Sequence, residues 1–432
     1  MIAQDREQTN RGPKKDRQPS KSLNALQAGI KEFLKDPVFL SQQDQASLEK
    51  LQNSLPKRFT IYEPLVLLPA NTFQSPPAWG AFCSTLSPEQ RELLYASIAK
   101  AFNRLGATHL AVNAPIAQTN TQGQENRIRS PAGLIPLHGD FGTAISTTGQ
   151  EEDIAQPSPA DLESAFWVRT SQNQGIVQIW APLYTMFSRG NITEKARILD
   201  QGPSQNTFMG LDEQSLAQPV SNTSVVDMYA GIGYFVFSYL KRGVKRVWGW
   251  ELNGWSVEGL RRGCEANKWG CKVVRVLNNG ELSIPVEKIM ETLTDIDRVV
   301  VFHGDNMFAA DVMSRIQRIM EIEGTWSPVR HINLGLLPSS QPSWDNACRI
   351  LDMKRGGWLH VHENVDVREV EEKKTEIMSG LARHRMLVYQ QQGHSEEPIV
   401  DCCHVEHVKS YAPGVMHCVF DIQLSAPRDP GN

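Results

Sequence analysis

Val225-Val226-Asp227-Met228-Tyr229-Ala230-Gly231-Ile232-Gly233-Tyr234-Phe235 is the stretch whose chemistry settles the fold class. An apolar run ends in an acid, two glycines follow one residue apart, and a helical pattern begins. That order predicts the first strand, tight turn and helix N-terminus of a nucleotide-binding α/β fold. Gly231 and Gly233 let the backbone approach a ligand where a Cβ would intrude. The same spacing occurs in ordinary turns, so a second feature is needed. Glu251 supplies it, closing the strand-like run from Arg246 to Trp250 about twenty residues past the turn, where an acid takes both ribose hydroxyls of an adenosine.

From Ser224 onward strands and helices alternate, which predicts a Rossmann-like, mostly parallel sheet with helices on both faces. Residues 246–251 form the second strand, and Asn253 caps a helix holding Val257, Leu260 and Cys264. Residues 271–277 look strand-like but fall in a stretch, about 271–297, that reads as an insertion, like the polar stretch 201–222. The third strand, 298–303, ends in Gly304-Asp305-Asn306, with Asp305 placed to accept from an adenine amino group. The fourth spans 329–336 and is followed by Leu337-Pro338-Ser339-Ser340 and a helix over 343–351. A fifth strand over 357–363, a long charged helix over 367–385 and a final antiparallel pair, 400–410 with 415–424, complete the sheet. Asp227, Glu251, Asp305 and Leu336 then all lie at strand carboxyl ends, where ligands of such sheets sit.

Upstream, residues 1–20 are polar and lack any hydrophobic period, as in a disordered tail. Lys14, Lys15 and Arg17 in it read as a phosphate-brushing element or as plain solvation. Leu23, Leu26, Ile30, Phe33 and Leu34 recur at helical spacing, predicting two short helices between 22 and 55. Residues 59–68 read as a strand or hairpin, and Ser87-Pro88-Glu89-Gln90 announces a capped helix that Gly106 ends. A strand over 108–113 precedes a polar loop, 117–135, whose Arg127 and Arg129 are phosphate-contact candidates. Ser171-Gln172-Asn173-Gln174-Gly175 is a hairpin signal. Asn191 followed by Glu194 is a capping-box pattern, and the helix N-terminus it predicts, with Ser188, Arg189 and Lys195 nearby, suits a carboxylate or simply joins two domains. The expected organisation is an N-terminal α+β, RNA-engaging region over 21–185, a catalytic domain over 186–425 and a tail from 426 to 432.

The 432 residues are 40% hydrophobic with a formal net charge of −4, and mean hydropathy is −0.36. No apolar run approaches the roughly 18 residues of a membrane span. A near-neutral balance argues against indiscriminate nucleic-acid binding, while leaving room for a local groove that holds one RNA. Seven cysteines without framework spacing, and an N-terminus without an apolar signal region, point to a reducing compartment and a cytoplasmic protein. Cys402, Cys403, His404, His407, His417 and Cys418 lack paired Cys-x-x-Cys knuckles, so no metal is expected. His360 and His362 share a face of the fifth strand, followed by Glu363; they border an acceptor site or are satisfied core histidines. No Gly-x-Ser-x-Gly elbow or Walker loop supports hydrolase or phosphate-cleaving chemistry.

DMYAGIGYF (227–235), MFSRGNITEKAR (186–197), WELN (250–253), HGDN (303–306) and GLLPSSQPSWDNACRIL (335–351) together resemble the tRNA wybutosine-synthesising protein 2 family. LVLLP (65–69), PLHGDFG (136–142) and VKSYAPGVMHCVFDI (408–422) are similar to its fungal branch. The resemblance covers about 59–424 and implies a class I S-adenosylmethionine-dependent transferase fold. It also implies transfer of the 3-amino-3-carboxypropyl group of S-adenosylmethionine to carbon 7 of 4-demethylwyosine at position 37 of tRNA(Phe), releasing methylthioadenosine. Matching motifs imply cofactor contacts at Ser188, Lys195, Glu251, Asp305 and Asn306. Asp227, Tyr229, Gly231, Gly233 and Leu336 join that set, and Arg189, Pro338 and Ser339 are candidates for the acceptor base. No catalytic residue is assigned, and the enzyme is expected to act as a monomer without a metal or membrane. Methyltransferases of similar fold that act on the same guanosine carry Asn-Leu-Pro after the fourth strand; here Leu336-Leu337-Pro338 stands in its place. A tRNA guanosine-37 methyltransferase and a catalytically silent tRNA-binding protein are the alternatives.

Overall fold

The structure, a computed structural model, describes residues 23–37, 44–113, 134–142, 155–185, 187, 191–201 and 208–427. Strands β1 (Thr60–Tyr62), β2 (Leu65–Leu68), β3 (His109–Val112) and β4 (Ile135–His138) form a four-stranded sheet in that order. The β2–β3 pair is parallel, because the helix Pro88–Phe102 crosses between them. That helix begins as its sequence predicts: Ser87 accepts from Gln90 N and the Gln90 side chain accepts from Ser87 N. Gly106 closes the following 3-10 turn at φ +73°. The helices Pro88–Phe102 and Ala25–Phe33 bury Leu26, Ile30, Leu94, Ile98 and Phe102 in one core with Trp79 of a third helix, Pro77–Thr85.

The hairpin of β5 (Val168–Gln172) and β6 (Ile176–Trp180) turns through Asn173, Gln174 and Gly175, all at positive φ. Its outer strand docks on the helix Gly254–Ala266, where the Asn267 amide bonds both Val177 N and Val177 O. Gly259 permits this approach, since a Cβ there would lie 2.7 Å from Ile179 O.

The larger sheet contains β7 (Ser224–Asp227), β8 (Arg246–Glu251), β9 (Gly270–Arg275), β10 (Asp297–His303), β11 (Val329–Leu334), β12 (Gly357–Asp366), β13 (Val400–Ala412) and β14 (Val415–Leu424). Their order is β13-β14-β12-β11-β7-β8-β10-β9, parallel except at β14 and β13. Every residue of β7 and β11 is buried, as expected of parallel strands covered on both faces. This is the α/β, Rossmann-like arrangement that the alternation of elements predicts.

Several boundaries differ from expectation: the fifth strand runs on to Asp366 rather than 363, and the long helix spans Val370–Gln391 rather than 367–385. The stretch beginning at 271 is no excursion from the sheet: β9 pairs in parallel with β10 as an extra edge strand. The fourth strand stops at Leu334 rather than Leu336. Its neighbour β7 ends opposite Asn333, and the chain then folds back so that Ser339 bridges antiparallel to Glu363 of β12.

Candidate functional site

The carboxyl ends of β7, β8 and β10 converge on the glycine turn. Gly231 and Gly233 take φ +53° and +87°, and a Cβ on Gly233 would fall 2.6 Å from the Phe237 ring. Glu251 spans this turn: its Oε2 accepts from Gly231 N at 2.7 Å and its Oε1 from Asn253 N at 2.8 Å. Its carbonyl accepts from Gly304 N, tying β8 to the end of β10. Asp305 caps the next turn through Met307 N, and Asn306 Nδ2 donates to Met228 O at 2.7 Å. The expected Asp227, Tyr229, Gly231, Gly233, Glu251, Asp305 and Asn306 therefore share one rim.

Asp227 lies deepest, with no exposed surface. Its Oδ1 accepts from Asn333 Nδ2 at 3.1 Å and Tyr229 N at 3.2 Å, while its Oδ2 is buried without a hydrogen-bond partner. Burial raises the carboxyl to about 7, outweighing those two bonds. Asn333 carried no signal in the sequence; it faces Asp227 because β11 lies beside β7.

Lys195 is 2% exposed. Its ammonium donates to Gln178 Oε1 at 3.1 Å and lies 5.4 and 5.3 Å from the Phe187 and Tyr234 ring centroids. Gln178 in turn reaches Gly233 O at 3.4 Å, which places the cation beside the glycine turn. No carboxylate pairs with it among the described residues, and burial lowers its pKa to about 8. A buried cation on an apolar, aromatic wall is costly unless an anion joins it. Gln178 was missed by local patterns because it comes from the hairpin strand β6.

The helix bearing Lys195, Ile192–Ile198, starts without the expected capping box: Asn191 makes no side-chain cap bond. Glu194 instead bonds Arg197 at 2.9 Å through both oxygens, and Arg197 also bonds Asp421 of β14. Asp421 continues to His360 Nδ1 at 2.7 Å, His360 to His331 at 3.0 Å, and His331 to Gly210 O at 3.1 Å. Both outer partners of this histidine pair are acceptors, so all three bonds form only when the two rings share three protons and one positive charge. Burial opposes that charge more strongly than Asp421 favours it, and both rings are held below the usual histidine value. His362 pairs with His417 at 3.0 Å, so both expected strand histidines are hydrogen-bonded core residues. Ser188 and Arg189 lie outside the described residues, as do Arg127, Arg129 and the basic tail.

Beyond β11, Leu336 is half-buried past the strand end and Pro338 is exposed. Ser339 Oγ donates to Glu363 Oε1 at 2.9 Å and Ser340 N to the same oxygen at 3.1 Å. Among the described residues no three or more His, Cys, Asp or Glu are grouped to hold a metal, and no helix is long and apolar enough to cross a membrane.

A mostly parallel sheet with an antiparallel end pair and a glycine turn spanned by an acid from the neighbouring strand defines a class I S-adenosylmethionine-dependent transferase fold. No family model matches the chain. The tRNA wybutosine-synthesizing protein 2 of Schizosaccharomyces pombe is 36% identical over 401 residues, covering 93% of this chain and 80% of the relative. Its Saccharomyces cerevisiae counterpart of the same name is 32% identical over 429 residues, with the same two coverages of 93% and 80%. A crystal structure of P. horikoshii TYW2 in complex with MeSAdo is 17% identical, covers 92% of this chain and 99% of that one, and has a TM-score of 0.49. The chain belongs to the tRNA wybutosine-synthesizing protein 2 family.

Proposed function

We propose that the protein transfers the 3-amino-3-carboxypropyl group of S-adenosylmethionine to carbon 7 of 4-demethylwyosine at position 37 of tRNA(Phe), releasing methylthioadenosine. The observation that carries this reading is Lys195, a buried ammonium beside the glycine turn with no carboxylate partner among the described residues. It suits the methionine carboxylate. Asp227, whose Oδ2 is buried without a partner, suits the methionine ammonium. Held at both charged ends, the chain rather than the methyl group is directed at the acceptor.

Glu251 would take the ribose hydroxyls and Asp305 the adenine amino group. When bound, S-adenosylmethionine supplies an electrophilic sulfonium; the protein's task is to orient the carbon to be attacked and bring the base to it. Absence of an amide at Leu336-Leu337-Pro338 fits a carbon acceptor, which has no ring nitrogen to be handled. The amide of β11, Asn333, is turned inward onto Asp227.

The acceptor base would approach over Arg189, Pro338 and Ser339, with the region 21–185 engaging the tRNA and the enzyme acting as a cytoplasmic monomer. Seven free cysteines accord with a reducing compartment. Replacing Glu251 with alanine is expected to weaken S-adenosylmethionine binding by about 1–3 kcal/mol through lost hydrogen bonds; unchanged calorimetric affinity would reject the ribose role. The nucleoside released during turnover tests the reaction itself. Methylthioadenosine is expected, and S-adenosylhomocysteine would mean methyl transfer.

A further inference from the structure

Carbon attack leaves an extra proton on the acceptor, and no group has been assigned to remove it. We propose that Ser339 and Glu363 form the proton acceptor of the transfer, Ser339 Oγ taking the carbon-7 proton as it passes its own to Glu363. This rests on the carbon-7 reading of the preceding section.

The two residues are positioned from both sides. Glu363 sits in β12, 3% exposed. Its neighbour Asn364 donates from its backbone N to Pro338 O at 2.8 Å, and Ser339 bridges to Glu363 through the backbone. Ser339 Oγ accepts from Gln341 N at 3.2 Å, which aims its own hydrogen along the 2.9 Å bond to Glu363 Oε1. Ser339 is half-buried, on a loop that follows β11, and β11 lies between β12 and the cofactor-turn strand β7. The hydroxyl thus stands on the loop at the carboxyl end of β11 with the carboxylate of β12 in hydrogen-bond reach.

Other carboxylates at the rim are committed elsewhere. Glu251 gives both oxygens to backbone amides, Asp305 caps a turn, and Asp227 is fully buried, its Oδ1 bonded to Asn333 and its Oδ2 assigned to the methionine ammonium. Glu363 takes both its donors on one oxygen. Burial raises its pKa against the pull of the Ser340 and Ser339 bonds. From the packed helix Val370–Gln391, Lys373 lowers it and Glu376 raises it. A carboxylate whose pKa is raised holds a transferred proton more strongly, which suits a proton acceptor.

The step balances. Carbon 7 bonds to the methionine-chain carbon next to sulfur, that carbon–sulfur bond breaks with its electrons going to sulfur, and neutral methylthioadenosine leaves. The acceptor then carries the positive charge. Its carbon–hydrogen pair returns to the ring as the proton goes to Ser339 Oγ, the serine proton goes to Glu363, and Glu363 later gives it to water.

Glu363→Gln tests this because the amide oxygen still accepts from Ser339 and Ser340 but takes no proton. The readout is single-turnover incorporation of carboxyl-labelled S-adenosylmethionine into tRNA bearing the precursor base, over a range of pH, beside wild type and Ser339→Ala. Both variants are expected to bind S-adenosylmethionine with wild-type affinity and to react about a hundredfold more slowly. The acidic limb of the wild-type rate profile should vanish in Glu363→Gln. A Glu363→Gln or Ser339→Ala rate within about threefold of wild type, or an acidic limb that persists in Glu363→Gln, overturns the proposal while leaving the transfer reading intact. Wild type that passes only methyl label removes the transfer reading and the proton acceptor with it.

Discussion

Lys195→Met is expected to weaken S-adenosylmethionine binding by about 2–3 kcal/mol, the scale of a charge-assisted hydrogen bond lost from a buried site. Methylthioadenosine, which lacks the methionine carboxylate, should bind the variant and the wild type alike. That contrast separates anchoring of the chain from damage to the adenosine site. Gln178 and the Phe187 and Tyr234 rings surround the ammonium, and methionine fills the same apolar space without the charge. The free protein should therefore be no less stable, because the substitution removes a buried charge. Acid–base behaviour follows from the lowered pKa of about 8. Folding with a charged Lys195 is penalised at neutral pH, and that penalty is relieved as pH rises through about 8 toward the ordinary lysine value. Cofactor affinity has the opposite slope, falling above about 8 in wild type as the cation is lost. In Lys195→Met that alkaline loss should shrink. Equal loss of S-adenosylmethionine and methylthioadenosine affinity, measured by calorimetry, would reject the carboxylate role.

Arg197→Met should cost about 3–5 kcal/mol of stability, since it leaves Glu194 and Asp421 buried without their shared cation. Glu194 and Asp421 are 1% and 0% exposed and bracket the guanidinium. Arg197, the one positive charge on the His331–His360 pair, and the two carboxylates make a neutral cluster when every bond is formed. Burial pushes the Glu194 carboxyl up to about 7 even beside Arg197, so removing the cation should drive it to protonate. The cluster ties the short helix Ile192–Ile198 to β14 and, through His360, to β12. A helix of seven residues has little stability of its own, so its position, and with it that of Lys195, depends on this tertiary anchor. Urea unfolding followed by circular dichroism measures the effect; an unchanged midpoint would show that the cluster contributes nothing.

Features set by local chemistry were readable in advance. The glycine turn, the acid closing the next strand, the Ser87 capping box and the turn at Asn173 to Gly175 each depend on residues within a few positions of one another. What escaped depends on distant partners. Glu194 matches a capping box with Asn191, yet its side chain goes to Arg197, whose other partner, Asp421, lies 224 residues further along. The edge strand β9 has only one buried residue, Val274, so it carries little of the apolar run that marks the central strands. Gln178 and Asn333 reach Lys195 and Asp227 from a hairpin and a neighbouring strand, and no spacing along the chain announces either contact. Strand-end acids could be placed because a parallel sheet gathers its carboxyl ends on one side, while the bonds each acid makes there required the fold.

The choice between the methionine chain and the methyl group is tested most directly by two labels on one substrate. The protein is incubated with tRNA carrying the precursor base and with S-adenosylmethionine labelled once in its carboxyl group and once in its methyl group. Carboxyl label entering the RNA without methyl label is the expected result; methyl label entering alone would contradict the proposed transfer.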